Sequence, residues 1–150
     1  MTSLRSIPKI IATAVSPRKG IYAQPQLSVW INTQVTRDSL IALPWVGIIG
    51  YYTDTRILDT LGLNDEHIAH LKKPQRGIDT EMDPDHVLSK KPDIIFINVD
   101  KRVALGEISF EEGGGWKVGD REMIKLLVAC GQYYLVTDAP TDIIVFKRKY

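Results

Sequence analysis

The sequence has too few cysteines to form an internal disulfide, no surplus of either charge and no apolar run long enough to cross a bilayer. Its one cysteine, Cys130, lies in the apolar run Leu126-Leu127-Val128-Ala129-Cys130, which suggests a small core residue. Lysine and arginine (19) nearly balance aspartate and glutamate (18), so no broad field draws the chain to a nucleic acid backbone or an anionic membrane. The basic groups Lys72-Lys73, Lys90-Lys91 and Lys147-Arg148-Lys149 read as solvated surface, with the last placed to touch lipid headgroups.

The longest apolar stretch, Leu40 to Tyr52, contains Pro44, Gly47 and Gly50, and falls short of the roughly 20 residues a spanning helix needs. It reads as a core strand region. The short run Ile10 to Val15 is broken by Thr13 and followed by Pro17, a pattern that disfavours an export signal without ruling one out. Repeats and low-complexity segments are missing too. At 150 residues the chain fits one domain, large enough to bury roughly 70% of the surface its unfolded form exposes. Pro17, Gly20 and Pro25 set off an N-terminal extended segment and loop, residues 1–25, from a single α/β domain over 26–150.

Familiar catalytic signatures are equally scarce. Gly113-Gly114-Gly115 runs into Trp116, Lys117 and Val118, which completes neither a dinucleotide nor a phosphate-loop pattern, and there is no Gly-x-Ser-x-Gly elbow. Asp79, Glu81, Asp83 and Asp85 alternate like the start of a calcium loop, but Pro84 stands where glycine is needed and Lys90 where a bidentate glutamate is needed. His67 and His70, three apart, are too few for a metal site, and His86 reads as a surface residue. No metal and no cofactor is expected.

What remains is a succession of helical and extended patterns. Leu27, Trp30 and Ile31 recur at helical spacing, and Thr36 to Ser39 turn into the run at Leu40. A short strand follows at Arg56 to Leu58. Asn64 is placed to cap a helix carrying Ile68 and Leu71, and Asp83-Pro84 opens another that Pro92 ends. Asp93 to Ile97 is a continuous apolar strand of the kind buried on both faces. Glu107 to Phe110 and Trp116 to Val118 flank the glycine triplet as a hairpin or flexible loop, and Asp120 caps a helix with Met123, Ile124, Leu127 and Cys130. Tyr133 to Val136 and Ile143 to Phe146 close the chain as an antiparallel pair. The fold expected is α/β: a mainly parallel sheet flanked by helices, with an antiparallel C-terminal strand pair, in a Rossmann-like three-layer arrangement.

One ordered series of motifs spans residues 27 to 97. It comprises the helix around Trp30, Ile41-Ala42, Gly47 with Tyr51-Tyr52, Asp59-Thr60-Leu61-Gly62-Leu63-Asn64-Asp65, and Lys91-Pro92-Asp93 before Ile94. The series resembles the soluble C-terminal region of bacterial GT-C-type membrane glycosyltransferases, especially mannosyl- and arabinofuranosyltransferase-like proteins that use polyprenyl-phosphate sugars. The resemblance implies a sugar or polyprenyl-phosphate-sugar ligand, a membrane-embedded transferase portion as partner, and a place on the extracytoplasmic face. It also implies that catalysis lies elsewhere: the family's catalytic aspartate sits between membrane helices this chain lacks, and its Gly-His pair is Gly77-Ile78 here.

The function expected is therefore a soluble accessory or glycan-binding domain that does not catalyse in isolation. The candidate ligand-binding residues are Tyr52, Asp54, Asp59, Gly62, Asn64, Asp65, His67, Gly77 and Asp79. The loop from Asp59 to Asp65 either brackets sugar hydroxyls or is a tight turn whose carboxylate satisfies backbone donors. Two alternatives stand beside this one: a small enzyme built from Asp54, Asp59, Asp65, His67 and Asp79 by acid and base chemistry, with or without a metal, and a protein-interaction module docking through a sheet edge.

Overall fold

The computed structural model describes residues 24–71, 82–109, 112 and 118–150. Eleven elements follow in order: α1 (Gln24–Gln34), β1 (Leu40–Leu43), α2 (Val46–Tyr52), β2 (Arg56–Asp59), α3 (Glu66–Ala69), α4 (Pro84–Ser89), β3 (Ile94–Asp100), α5 (Lys101–Ala104), α6 (Val118–Cys130), β4 (Tyr133–Leu135) and β5 (Ile143–Arg148). The apolar run from Leu40 is thus only partly a strand. Pro44 cannot donate to a strand ladder, β1 stops before it, and Val46 to Tyr52 coil into a helix.

The five strands form one sheet in the order β2-β1-β3-β5-β4. β1 pairs in parallel with β2 and with β3, while β5 pairs antiparallel with β3 and with β4. The sheet is therefore mixed, and the expected mainly parallel, Rossmann-like sheet is overturned. The reason lies in β5. Ile144, Val145 and Phe146 are all buried, a composition that suits an interior strand, and β5 inserts between β3 and β4. A continuous apolar run such as Ile94 to Ile97 reports burial on both faces, but not the direction of its neighbours.

Alternate residues of the strands enter two cores. Ala42, Leu58, Ile95, Ile97, Ile144 and Phe146 meet Ile68 of α3, Val87 of α4, and Met123 and Leu127 of α6 on one face. Ile41, Leu43, Ile94, Phe96 and Val145 meet Leu27 and Ile31 of α1 and Ile49 of α2 on the other. The connection from β1 to β2 runs through α2 over one face, and that from β2 to β3 returns past β1 with α3 and α4 on the opposite face. Direction and covering face reverse together, so the two crossovers share one hand.

Asp93, 8% exposed, ties the start of β3 to both neighbouring strands. Its Oδ2 accepts the Leu40 amide at 2.8 Å, and its Oδ1 accepts Arg148 Nη2 at 2.6 Å and the Tyr150 hydroxyl at 3.0 Å. Arg148 Nη1 also donates to Lys91 O, Lys147 Nζ to Gln34 O and Lys149 Nζ to Gly131 O. All three members of the basic triplet thus hydrogen-bond within the fold. Cys130 is exposed rather than in the core, because α6 turns Met123 and Leu127 inward and ends at Cys130, with Gly131 following at φ 65°. Glu107 to Ser109 lie after α5 and are not a strand, and the glycine triplet falls outside the described residues. No helix among the described residues is long and apolar enough to cross a membrane.

Candidate functional site

The strand order reverses at β1, with β2 added on one side and β3 on the other, and in open α/β sheets a crevice forms beyond the carboxyl ends of strands at such a point. The chain has one there. A small cleft with about 10 Å³ of room for water is lined by the polar Thr60, Asn98 and Asp120 and by Pro44, Leu61, Met82 and Phe96. Pro44 follows β1, Thr60 and Leu61 follow β2, and Phe96 and Asn98 belong to β3. Asp120 is brought in by close packing of α6: a Cβ on Gly119 would overlap the Met82 carbonyl, so only glycine lets the first turn of α6 approach that backbone.

The loop after β2 is held by Asp59, which is 2% exposed. Its Oδ1 accepts the Leu61 amide at 2.9 Å and its Oδ2 accepts the Asn64 amide at 2.7 Å, the second half of the alternative left open for this residue. Gly62 has φ 75°, and a Cβ there would lie 2.7 Å from Ala69 N, so the loop folds tightly back on α3. Asn64 contributes its backbone amide, and the cap of α3 is Asp65 instead.

Beside this loop four side chains brace two short helices reciprocally. Asp65 Oδ1 accepts the Ile68 amide at 2.9 Å and caps α3, while its Oδ2 meets His86 Nε2 of α4 at 3.1 Å. Asp83 Oδ1 accepts the His86 amide at 3.1 Å and caps α4, while its Oδ2 meets His67 Nε2 of α3 at 2.8 Å. The two imidazoles stack with centroids 4.1 Å apart and planes 12° from parallel. His86 is accordingly no surface residue; its side chain and that of Asp65 are each 14% exposed.

The electrostatics follow from this geometry. Burial works against the charge of Asp65, but the Ile68 amide and the His86 imidazole outweigh it and hold the carboxyl below the ordinary aspartate value. The Asp83 carboxyl is lowered first by the hydrogen bond from His67, against the opposing effect of burial.

The structure brings Asp65 and His67 together through their cross-helix partners, and places Asp59, Gly62 and Asn64 in the adjoining loop. Tyr52 and Asp54 stand elsewhere: Tyr52 is exposed at the end of α2, and Asp54 pairs with Arg37 at 3.7 Å. Gly77 and Asp79 lie outside the described residues. His86, Asp83, Thr60, Asn98 and Asp120 were not among the expected site residues. One signal was available: in both short helices an aspartate cap is followed by a histidine in the first turn, Asp65-x-His67 and Asp83-x-x-His86. Among the described residues no group of three or more histidine, cysteine or acidic side chains is arranged to hold a metal ion.

With strand order and crevice located, comparison with known proteins places the chain in a family. The chain belongs to DUF8728, a domain of unknown function, whose profile matches residues 14–146. The matched span takes in every element from α1 to β4 and most of β5. No curated protein and no solved structure matches it.

Proposed function

We propose that the chain is a ligand-binding accessory domain without catalytic chemistry of its own, and that the crevice at the strand-order reversal is where it meets the edge of a polar ligand such as a sugar. The crevice carries this reading. It combines an amide (Asn98), a hydroxyl (Thr60) and a carboxylate (Asp120) with apolar walls, the mixture that sugar hydroxyls and ring carbons call for, at the carboxyl ends of three neighbouring strands. Its small volume suits the edge of a larger molecule rather than an engulfed one. The resemblance to soluble regions of GT-C-type transferases supports a polyprenyl-phosphate sugar as the ligand and a membrane-embedded transferase portion as the partner.

Three other carboxylates, Asp59, Asp65 and Asp83, are bound within the fold. Both oxygens of Asp59 accept backbone amides, and Asp65 and Asp83 each spend one oxygen on a helix cap and the other on an imidazole. These carboxylates shape the loop and the two helices.

Calorimetric titration with a panel of sugars and polyprenyl-phosphate sugar analogues tests the proposal. Asn98→Ala, at an exposed position, is expected to weaken binding about tenfold, corresponding to ~1.4 kcal/mol, with the melting temperature unchanged. Wild-type protein that binds no member of the panel, or binding untouched by Asn98→Ala, overturns it.

A further inference from the structure

The near balance of charge over the whole chain conceals a division between the two ends of the sheet. β1, β2 and β3 run parallel and β5 runs against β3, so Arg56 lies beside Leu40, Ile94 beside Ile41, Lys147 beside Ile94 and Tyr133 beside Arg148, all at one end. Two cations there are matched within the chain, Arg148 by the buried Asp93 at 2.6 Å and Arg37 by Asp54 at 3.7 Å. Arg56, Lys90, Lys91, Lys147 and Lys149 remain, and the acid left to answer them among the described residues at this end is Asp38. Lys147 and Lys149 donate to the carbonyl oxygens of Gln34 and Gly131, which leaves their charge unbalanced. At the far end, where the crevice opens, Glu66, Asp85, Glu107, Glu122, Asp138 and Asp142 are exposed and outnumber Lys101, Arg102 and Arg121.

The tyrosines divide in the same way. Every tyrosine among the described residues stands at the basic end: Tyr133 is buried there, while Tyr51 (82% exposed), Tyr52 (57%), Tyr134 (45%) and Tyr150 (88%) are open to solvent. α2 carries Tyr51 and Tyr52 back to the start of β2, Tyr134 pairs with Lys147, and Tyr150 follows β5. Tyrosine joins an apolar body to a polar tip, and it gathers with lysine and arginine where a bilayer meets water.

We propose that the basic end rests on an anionic membrane surface, as a peripheral contact in which no helix is inserted. Cations unbalanced within the chain attract anionic headgroups, and the acidic far end is repelled by them, so one field both draws the chain in and turns it. A nucleic acid strand suits this end less well, because it needs a row of open aromatic faces on which bases stack. Here the Arg148 guanidinium lies over the Tyr150 ring at 5.6 Å, and the Tyr51 and Tyr52 rings meet edge to face at 5.0 Å. Asn98 stands four residues along β3 from Ile94, a rise of about 13 Å, so the crevice is held above the headgroups, level with the sugar of a lipid-linked ligand and not with its phosphate. The membrane contact is independent of what the crevice binds.

Co-sedimentation of the 150-residue chain with vesicles provides the test. Wild type is expected to bind vesicles of equal parts phosphatidylglycerol and phosphatidylcholine, to ignore phosphatidylcholine alone, and to be released between about 0.1 M and about 1 M salt as the screening length shrinks. Lys90→Gln with Lys91→Gln is expected to weaken binding at least tenfold, at about fivefold for each charge near the surface. Lys101→Gln with Arg121→Gln removes the same charge from the far end and leaves binding unchanged. Tyr51→Ser with Tyr52→Ser weakens it roughly fivefold. Circular dichroism confirms that each variant is folded. A wild type that ignores the mixed vesicles overturns the proposal, as does equal binding to phosphatidylcholine alone. So does a pair of double lysine and arginine variants that lose binding alike, or a wild type that passes over the vesicles and binds a single-stranded oligouridylate through Lys90 and Lys91.

Discussion

At the scale of single residues, Asp59 shows how a side chain picked for chemistry can serve shape. It follows a strand, precedes a glycine and sits near other carboxylates, as a sugar-binding aspartate would. Its carboxylate nevertheless organises the backbone on which Thr60 and Leu61 reach the crevice. Asp59→Asn is expected to lower stability by about 1 to 3 kcal/mol, the order for leaving a buried amide without its charged acceptor. Thermal and urea melts measure that loss. If Asp59→Asn melts like wild type but loses ligand affinity, the carboxylate is a ligand contact and this account of the loop is wrong. The sequence shows which residues can play either part. Only the placement of the Leu61 and Asn64 amides decides between them, and that depends on how Gly62 folds the loop onto Ala69.

At the scale of elements, local chemistry is legible wherever one signal dominates. Asp83 followed by Pro84 opens α4, Pro92 ends the segment after it with Lys91 at φ 52°, and the run from Ile94 is a strand. Where signals compete, tertiary packing decides. Val46 to Tyr52 is apolar enough for a strand, yet becomes a helix once Pro44 breaks the ladder. Neither α3, with four residues, nor α4, with six, is long enough to persist alone, so caps and cross-helix pairs hold them. Asp65→Ala and Asp83→Ala should each cost about 1 kcal/mol from the lost cap alone. Because both carboxyls are lowered in the folded chain, their stabilisation is complete above the ordinary aspartate value of 3.8 and is lost as pH falls below it through the folded values. Denaturation curves at neutral pH and in acid should show wild type losing this increment, and Asp83→Asn losing less. Equal acid sensitivity in the two proteins would count against the brace.

At the scale of the whole molecule, the sheet joins two unlike halves, a parallel β2-β1-β3 unit and an antiparallel β3-β5-β4 unit, with β3 common to both. Burial was legible from the apolar runs, whereas strand order was not. Order depends on which edge β5 finds, and the pairing of residue 94 with residue 147 leaves no periodic trace in either segment. Tyr133 reports on the join. Its hydroxyl donates to Pro92 O at 2.9 Å, and burial pushes the phenol up to about 12. An unfolded tyrosine ionises near 10, so the stabilisation is complete below that value and is lost as pH rises from about 10 to about 12. Tyr150 is also raised, by burial and its hydrogen bond to Asp93, so ultraviolet titration should show late ionisation that Tyr133→Phe reduces without abolishing, together with a smaller alkaline loss of stability. A chain whose tyrosines all ionise together near 10 would contradict the buried hydroxyl.

The insertion of β5 beside β3 bears on how the chain comes into being. During synthesis, β1, β2 and β3 leave the ribosome well before residues 143–148, so the nascent chain carries Ile94 to Ile97 with one edge unpaired and nothing of its own to cover it. That interval is when a chaperone has something to hold, or a neighbouring nascent chain something to pair with wrongly. Damage to β5 should therefore appear first in the yield of soluble protein, before it appears in the properties of the molecules that survive.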